Sequence, residues 1–219
     1  MRICFWNTNK NTQINKYILN IIEECSIDFF VLAEYRADVE QLKQKVGLHT
    51  IALEEAITVG CDRITILKRG KNIQPGFQNK YCSMQIIEGK YILACLHLPS
   101  RLYADKLKRS IVISRIVEEI QEYEKKLNTD KSIIVGDINE NPYESGCLGA
   151  NGFHGIPVYK DAMKKYRIIM DESFKMFFIW SGGFGSMCAD AFLRRSYGGK
   201  GNAGRYRKRS NSSSCRGKQ

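Results

Sequence analysis

Between Asp28 and Glu34 the chain runs Phe-Phe-Val-Leu-Ala, directly after a stretch whose apolar residues Ile14, Ile18, Ile21, Ile22 and Cys25 keep helical spacing. An unbroken apolar run of this length reads as a fully buried strand, and a helix with one apolar stripe is the element that covers it. The same alternation of short β-rich runs and amphipathic stretches recurs along the chain. It is the pattern of a layered α/β domain in which helices cover sheets.

Arg2–Asn7 reads as a first strand and the stretch from Asn11 to Cys25 as a helix; a short helix through Val39, Leu42 and Val46 follows the Asp28–Ala33 strand. Four further β-like runs come next, Leu48–Leu53, Cys61–Lys68, Tyr81–Ile87 and Tyr91–Leu96, punctuated by Gly60, Gly70, Gly76 and Gly89. Glu88-Gly89 is the tight connection of an antiparallel hairpin, so a uniformly parallel doubly wound sheet is excluded. The longest predicted helix is Ala104–Leu127, with Leu107, Ile111, Ile116, Ile120, Tyr123 and Leu127 as its apolar stripe. Ser132–Val135 is a buried strand broken by Gly136, Asp137–Gly155 is rich in loop residues, and Lys160–Lys175 carries one or two short helices.

With 219 residues, 43% hydrophobic and 26% charged, the chain suits one soluble domain. From Phe177 apolar periodicity is lost, and Tyr197–Gln219 holds no aliphatic residue beyond Ala203. Such a segment cannot offset its ordering entropy by burial. Residues 1–176 are therefore expected to form the domain, and 177–219 a disordered Gly/Ser/Arg-rich tail. The net charge of +11 points to a polyanion, yet Met176–Gln219 contains nine Lys/Arg against one acid, leaving only +3 for residues 1–175. The N-terminus turns polar too soon for a signal peptide and no run reaches membrane-spanning length, so a cytoplasmic protein is expected. Its eight cysteines form no Cys-x-x-Cys pair and read as buried, reduced thiols.

Four polar positions fall at the predicted C-terminal ends of strands: Asn7, Glu34, His97, and Asp137 with Asn139. In layered α/β folds such ends converge on one crevice. Glu34 is a hard oxygen ligand of the kind Mg²⁺ or Mn²⁺ prefers, or else a solvated carboxylate at a strand end. Asp137 and Asn139, two apart after a glycine break, can point into one pocket, orienting a water and a phosphoryl oxygen; the same residues also make an ordinary Asx-turn. His97 can protonate a leaving oxygen or hold a phosphate, with Arg101 adding charge, or serve as a packed structural histidine. Asn7 reads equally as a strand-closing residue.

Taken together and in this order, these residues resemble the endonuclease/exonuclease/phosphatase superfamily. Asn7 in Arg2-Ile3-Cys4-Phe5-Trp6-Asn7 is similar to its opening strand motif, Glu34 after Asp28–Ala33 to its metal-binding strand, and His97 to its mid-chain histidine. Gly136-Asp137-Ile138-Asn139 with Asn141-Pro142 resembles its Gly-Asp-Phe-Asn-x-x-Pro signature, and the resemblance covers residues 1 to about 175. It implies a four-layer α/β (α+β) sandwich, two packed, mostly antiparallel sheets flanked by helices, with Mg²⁺ or Mn²⁺ held by Glu34 and Asn7. Asp137, Asn139 and His97 would be catalytic; Asn7, Asn139 and Arg101 would bind the substrate phosphate.

The expected function is a divalent-metal-dependent phosphodiester hydrolase, a nuclease before a lipid or inositol-phosphate hydrolase, with a non-catalytic nucleic-acid or partner-binding remnant as the third reading. The substrate is nucleic acid or another phosphate ester, no membrane partner is expected, and the oligomeric state is open. Many members end in a strand followed by an Asp-His pair. Here the three histidines are His49, His97 and His154, so the terminal strand and pair are expected to be missing and activity weak or absent. Asp190 is the sole acid in the tail.

Overall fold

The computed structural model describes residues 1–48, 52–100, 102–141, 144–149, 151–153, 155–156, 176–180 and 191–195, the last three segments by their backbone pairing. Two mixed sheets form. The first, in spatial order, is β1 (Ile3–Asn7), β2 (Phe29–Ala33), β4 (Ile64–Lys68) and β3 (Glu54–Glu55). The second is β5 (Ile73–Asn79), β6 (Cys82–Ile87), β7 (Tyr91–His97), β8 (Ser132–Asp137), β11 (Ala191–Arg195), β10 (Met176–Trp180) and β9 (Gly155–Ile156). The pairs β1–β2, β7–β8 and β9–β10 are parallel and the other pairs antiparallel, which matches the expected mostly antiparallel architecture.

Side-chain alternation along the strands separates three apolar layers. Phe29, Val31 and Ala33 of β2, Ile64 and Ile66 of β4, Leu93 and Cys95 of β7 and Val135 of β8 meet between the sheets. Phe30, Leu32 and Leu67 face the other way, onto Ile14, Ile18 and Ile22 of the α1 region (helix Asn15–Cys25) and Leu42 and Val46 of α2 (Val39–Gly47). Ile92, Ala94, Leu96 and Ile134 pack against Ile113, Ile116 and Ile120 of α3 (Lys106–Leu127) and Cys147 of the short α4 (Ser145–Leu148). The order is helix, sheet, sheet, helix, the four-layer sandwich. Truncating a fully buried leucine here, such as Leu32→Ala, costs about 2–5 kcal/mol.

Several expectations are corrected. Helix α1 starts at Asn15 rather than Asn11, because the Asn11 Oδ1 accepts from the Gln13 backbone N–H at 2.8 Å and makes a local turn instead. Leu48 caps α2 and is exposed, Ala52 and Leu53 lie outside any strand, and β3 is Glu54–Glu55; the rest of the strand expected over Leu48–Leu53 lies outside the described residues. Strand β5 went unread, since Pro75 and Gly76 lie inside it at a register shift. The α3 stripe bends away from the expected one: Leu107 and Ile111 are exposed, and Arg109 and Ile113 are buried in their place. Positions 109, 113, 116 and 120 keep the i, i+3, i+4 spacing, whereas position 111 lies five residues from 116 and so falls on another face.

The tail expectation fails for two segments. Met176–Trp180 and Ala191–Arg195 are strands, and β11 pairs Ala191, Phe192 and Leu193 with Val135, Ile134 and Ile133. Both segments are short β-branched or aromatic runs, Met-Phe-Phe-Ile-Trp and Ala-Phe-Leu, that the absence of longer periodicity concealed. The expectations for 160–175 and 197–219, and for His49, Arg101, His154 and Asp190, lie outside the described residues. Cys61, Cys82, Cys95 and Cys147 are buried, Cys61, Cys82 and Cys95 as free thiols, with burial holding the Cys61 thiol up at about 11. No helix among the described residues is long and apolar enough to cross a membrane.

Candidate active site

Two parallel strand pairs, one in each sheet, end at the same edge of the sandwich. In the first sheet Asn7 stands in register with Ala33, which places Asn7 beside Glu34; in the second, His97 is in register with Asp137. The two ends are joined across the sheets. Asn7 Nδ2 donates to Asp137 Oδ2 at 2.9 Å, and His97 Nε2 lies 3.4 Å from Glu34 Oε1 and 3.9 Å from Asp137 Oδ2. Residues from positions 7, 34, 97 and 137 thus share one cluster.

Backbone bonds fix each member. Thr8, through both its N–H and its hydroxyl, donates to the Ala33 carbonyl, tying the end of β1 to that of β2. Glu34 N–H donates to the Arg63 carbonyl and the Glu34 carbonyl accepts from Lys10 N–H. Glu34 itself has φ +51°, a left-handed conformation that an L side chain rarely adopts and that surrounding contacts must hold. On the other sheet, Gly136 is obligatory: a Cβ there would lie 2.0 Å from the Leu96 carbonyl oxygen. Only glycine lets β8 run this close to β7 before Asp137 emerges.

After Asp137 the chain turns at Asn139, with φ +52°. The Asn139 N–H donates to Asp137 Oδ1 at 3.3 Å, the Asx-turn bond, while Asn139 Nδ2 donates to the Leu98 carbonyl at 2.9 Å. The Asx-turn of the structural reading is present, and Asp137, which closes it, also belongs to the cluster with Asn7. Half of the Asn139 amide's donor capacity is spent on Leu98, so its second N–H is the one free to face a ligand. Asn7 is similarly committed, with Oδ1 accepting from Asn9 N–H at 3.0 Å.

Burial pushes the His97 imidazole below its ordinary pKa, the Asp137 and Glu34 carboxylates pull it back up, and the nearby Arg63 cation pushes it down. His97 is nearly buried, and its Nδ1 has no hydrogen-bond partner. The ring is thus kept neutral near pH 7, able to take or give a proton at Nε2. Glu34 and Asp137 are about a quarter exposed, at 27% and 29%, and among the described residues neither pairs with a lysine or arginine.

Glu34 and Asp137 are two hard-oxygen carboxylates flanking His97 Nε2, neither of them in an ion pair with a lysine or arginine among the described residues, and carboxylates of this kind suit Mg²⁺ or Mn²⁺. Among the described residues no group of three or more His, Cys, Asp or Glu side chains is arranged to hold an ion. A metal here would rest on one or two carboxylates, chiefly Glu34, and complete its shell with water and substrate oxygens, which is how Mg²⁺ is commonly bound.

Arg63 is the residue that sequence reasoning missed. It precedes β4, whose first residue Ile64 pairs with Ala33, so antiparallel pairing sets it beside Glu34. The signal was present in the β2–β4 pairing but not in any motif. Lys10, exposed in the loop after β1, is a second cation at this edge.

No family model matches the chain, and no curated protein matches its sequence. Solved structures similar to it include the human Nocturnin catalytic domain, at 12% identity over 69% of this chain and 70% of that one, with a TM-score of 0.49. The 3'-5' exonuclease NExo from Neisseria meningitidis is similar at 14% identity over 67% of this chain, with a TM-score of 0.48, and this chain spans 61% of it. An endonuclease/exonuclease/phosphatase family protein from Bacteroides thetaiotaomicron is similar at 13% identity over 67% of this chain and 66% of that one, with a TM-score of 0.49.

Proposed function

We propose that the chain is a divalent-metal-dependent phosphodiester hydrolase of the endonuclease/exonuclease/phosphatase type, acting on nucleic acid. One observation carries the reading: Asn7, Glu34, His97 and Asp137, from the ends of four strands in two sheets, form one cluster in which Asn7 is hydrogen-bonded to Asp137 and His97 Nε2 lies 3.4 Å from Glu34 and 3.9 Å from Asp137. Four polar side chains drawn from so many strands have no packing role that apolar residues would not fill better. Their chemistry matches the hydrolysis of a phosphate diester, which needs positioning, charge neutralisation and a proton acceptor.

A Mg²⁺ or Mn²⁺ held by Glu34, with Asn7 as its neighbour, supplies charge neutralisation at the phosphate when bound. Asp137, fixed by Asn7, orients the attacking water and accepts its hydrogen bond. The neutral His97 exchanges a proton at Nε2. Asn139 offers its remaining N–H to a phosphoryl oxygen, and Arg63, Lys10 and Arg101 add positive charge for the phosphate. His97 is the one imidazole that the described residues bring to the site, so slow turnover is part of the proposal.

Residues 176–219 carry most of the net charge of +11, and it is that segment whose charge favours a polyanionic substrate over a small ester. Cytoplasmic residence belongs to the same proposal, supported by the free, buried thiols. The test incubates the full chain with supercoiled plasmid in Mg²⁺, with and without EDTA, alongside a chromogenic phosphodiester and an inositol phosphate. Nicking that EDTA abolishes is expected; hydrolysis of the inositol phosphate alone would move the substrate to that class. Binding of plasmid without cleavage at any metal concentration would reject catalysis.

A further inference from the structure

Arg109 is an arginine on the buried face of α3, its side chain 7% exposed. Its Nε lies 2.6 Å from Oε1 of Glu140, whose side chain is 2% exposed; its Nη1 donates to the Ala104 carbonyl at 2.9 Å, and its Nη2 lies 4.0 Å from Glu144 Oε2. These contacts reach two separate segments. Ala104 closes the loop that leaves β7 just after His97, and Glu140 and Glu144 belong to the loop that leaves β8 just after Asp137. The same two loops are stitched nearer the site, where Leu98 N–H donates to the Asp137 carbonyl at 2.9 Å and Asn139 Nδ2 to the Leu98 carbonyl.

A buried ion pair is a poor device for stability alone, because apolar side chains of the same volume commonly serve as well or better. What the pair supplies is direction: the guanidinium is a rigid planar fork whose donors leave at fixed angles. Direction is what this loop needs. Asn139, between Asp137 and Glu140, reverses the chain at a left-handed φ of +52°, so the residues on either side of it set where its side chain stands. Asp137 is pinned by its register in β8 and by Asn7; Glu140 is pinned by Arg109. The space around the pair is closed as well. A Cβ at Gly146 in α4 would meet Ile113 Cδ1 at 2.6 Å and Glu140 Cγ and Cδ at 3.4 Å.

We propose that Arg109 and Glu140 are positioning residues of the active site, the buried pair fixing the loop after β8 so that Asp137 and Asn139 stand opposite His97. Its catalytic consequence rests on the hydrolase reading above; its geometric content does not, and the test separates the two. Three full-length proteins are compared: the wild type, Arg109→Lys, which keeps the charge and loses the fork, and the double variant Arg109→Met with Glu140→Leu, which leaves no lone buried charge.

The first readout needs no activity: the Asn139 side-chain amide resonance, and hydrogen exchange at the Leu98 and Asn139 backbone amides. The second is hydrolysis of bis(p-nitrophenyl) phosphate in Mg²⁺, with kcat and KM separated. In the folded double variant, the Asn139 amide is expected to shift and exchange to quicken, with kcat falling about tenfold or more and KM nearly unchanged. Arg109→Lys should keep a melting temperature near that of the wild type while its kcat falls as in the double variant. A folded double variant with the wild-type Asn139 resonance and kcat would overturn the inference. Should the double variant not fold, Arg109→Lys decides by the same two readouts, wild-type values again overturning it. If the wild type hydrolyses nothing, the catalytic reading falls alone, and the Asn139 resonance and exchange still decide the positioning role.

Discussion

Asn7 Nδ2 and Asp137 Oδ2 are hydrogen-bonded at 2.9 Å although 130 positions separate them in the chain. The bond crosses from one sheet to the other, so it forms only when β1 and β8 are packed against each other across the sheets.

Glu34→Gln should abolish Mg²⁺ binding while leaving the fold intact, since it exchanges a charged ligand for a neutral one of equal size. Calorimetric titration of Mg²⁺ into the folded variant checks this. Wild-type affinity would remove Glu34 from the metal site.

Asp137→Asn and His97→Ala should each lower kcat by about 10² or more, as expected for groups that orient water or move a proton. The imidazole is kept neutral by burial, so the loss should be present at pH 7. Steady-state rates on the purified variants decide it, and a loss of less than severalfold in both would return these residues to purely structural roles.

Gly136→Ala should be among the most destabilising single substitutions in the chain, costing about 3 kcal/mol or more. The added methyl would stand 2.0 Å from backbone at Leu96, and no side-chain movement relieves that clash. Urea unfolding measures the cost. Wild-type stability would mean that β7 and β8 run further apart than described.

Tyr35, next to Glu34, donates its hydroxyl to Asn15 Oδ1 at 2.5 Å, and Asn15 Nδ2 donates to the Asp38 carbonyl at 2.7 Å. Burial raises the phenol to about 12, and the Asp38 and Glu55 carboxylates raise it further. A phenol whose folded pKa exceeds its unfolded value near 10 stabilises the fold fully below pH 10 and loses that contribution as pH rises towards 12. Tyr35→Phe should therefore cost about 1 kcal/mol at pH 7. The gap from wild type should close between pH 10 and 12. Urea midpoints across that range test the sign, and a gap that widens would contradict it.

The strands that build the site were legible because each is a short apolar run closed by a polar residue: Phe29–Ala33 before Glu34, Tyr91–Leu96 before His97, and Ser132–Val135 before Gly136 and Asp137. A buried strand leaves that trace in any sequence, since water ends it. What stayed hidden depends on partners. Arg109 looked like a charge beside the α3 stripe because its burial is made tolerable only by Glu140, thirty-one positions away. Arg63 needed the β2–β4 pairing, and β5 reads as a loop because a half-exposed strand with Pro75 and Gly76 has no apolar period to show. The strands at 176–180 and 191–195 were hidden by the polar and glycine-rich residues around them.

Strand β8 has β7 on one side and β11 on the other, and β11 comes from residues 191–195. During synthesis, 53 residues must follow Asp137 before Ala191 is added, which takes roughly 3–11 s at a ribosome's usual pace. For that interval the nascent chain holds the catalytic end of β8 beside β7 with its other flank unmet, a template for any extended segment on a neighbouring polysome. Expression at lowered temperature or with a trigger-type chaperone should thus raise soluble yield by shielding a transient intermediate, independently of how stable the finished protein is.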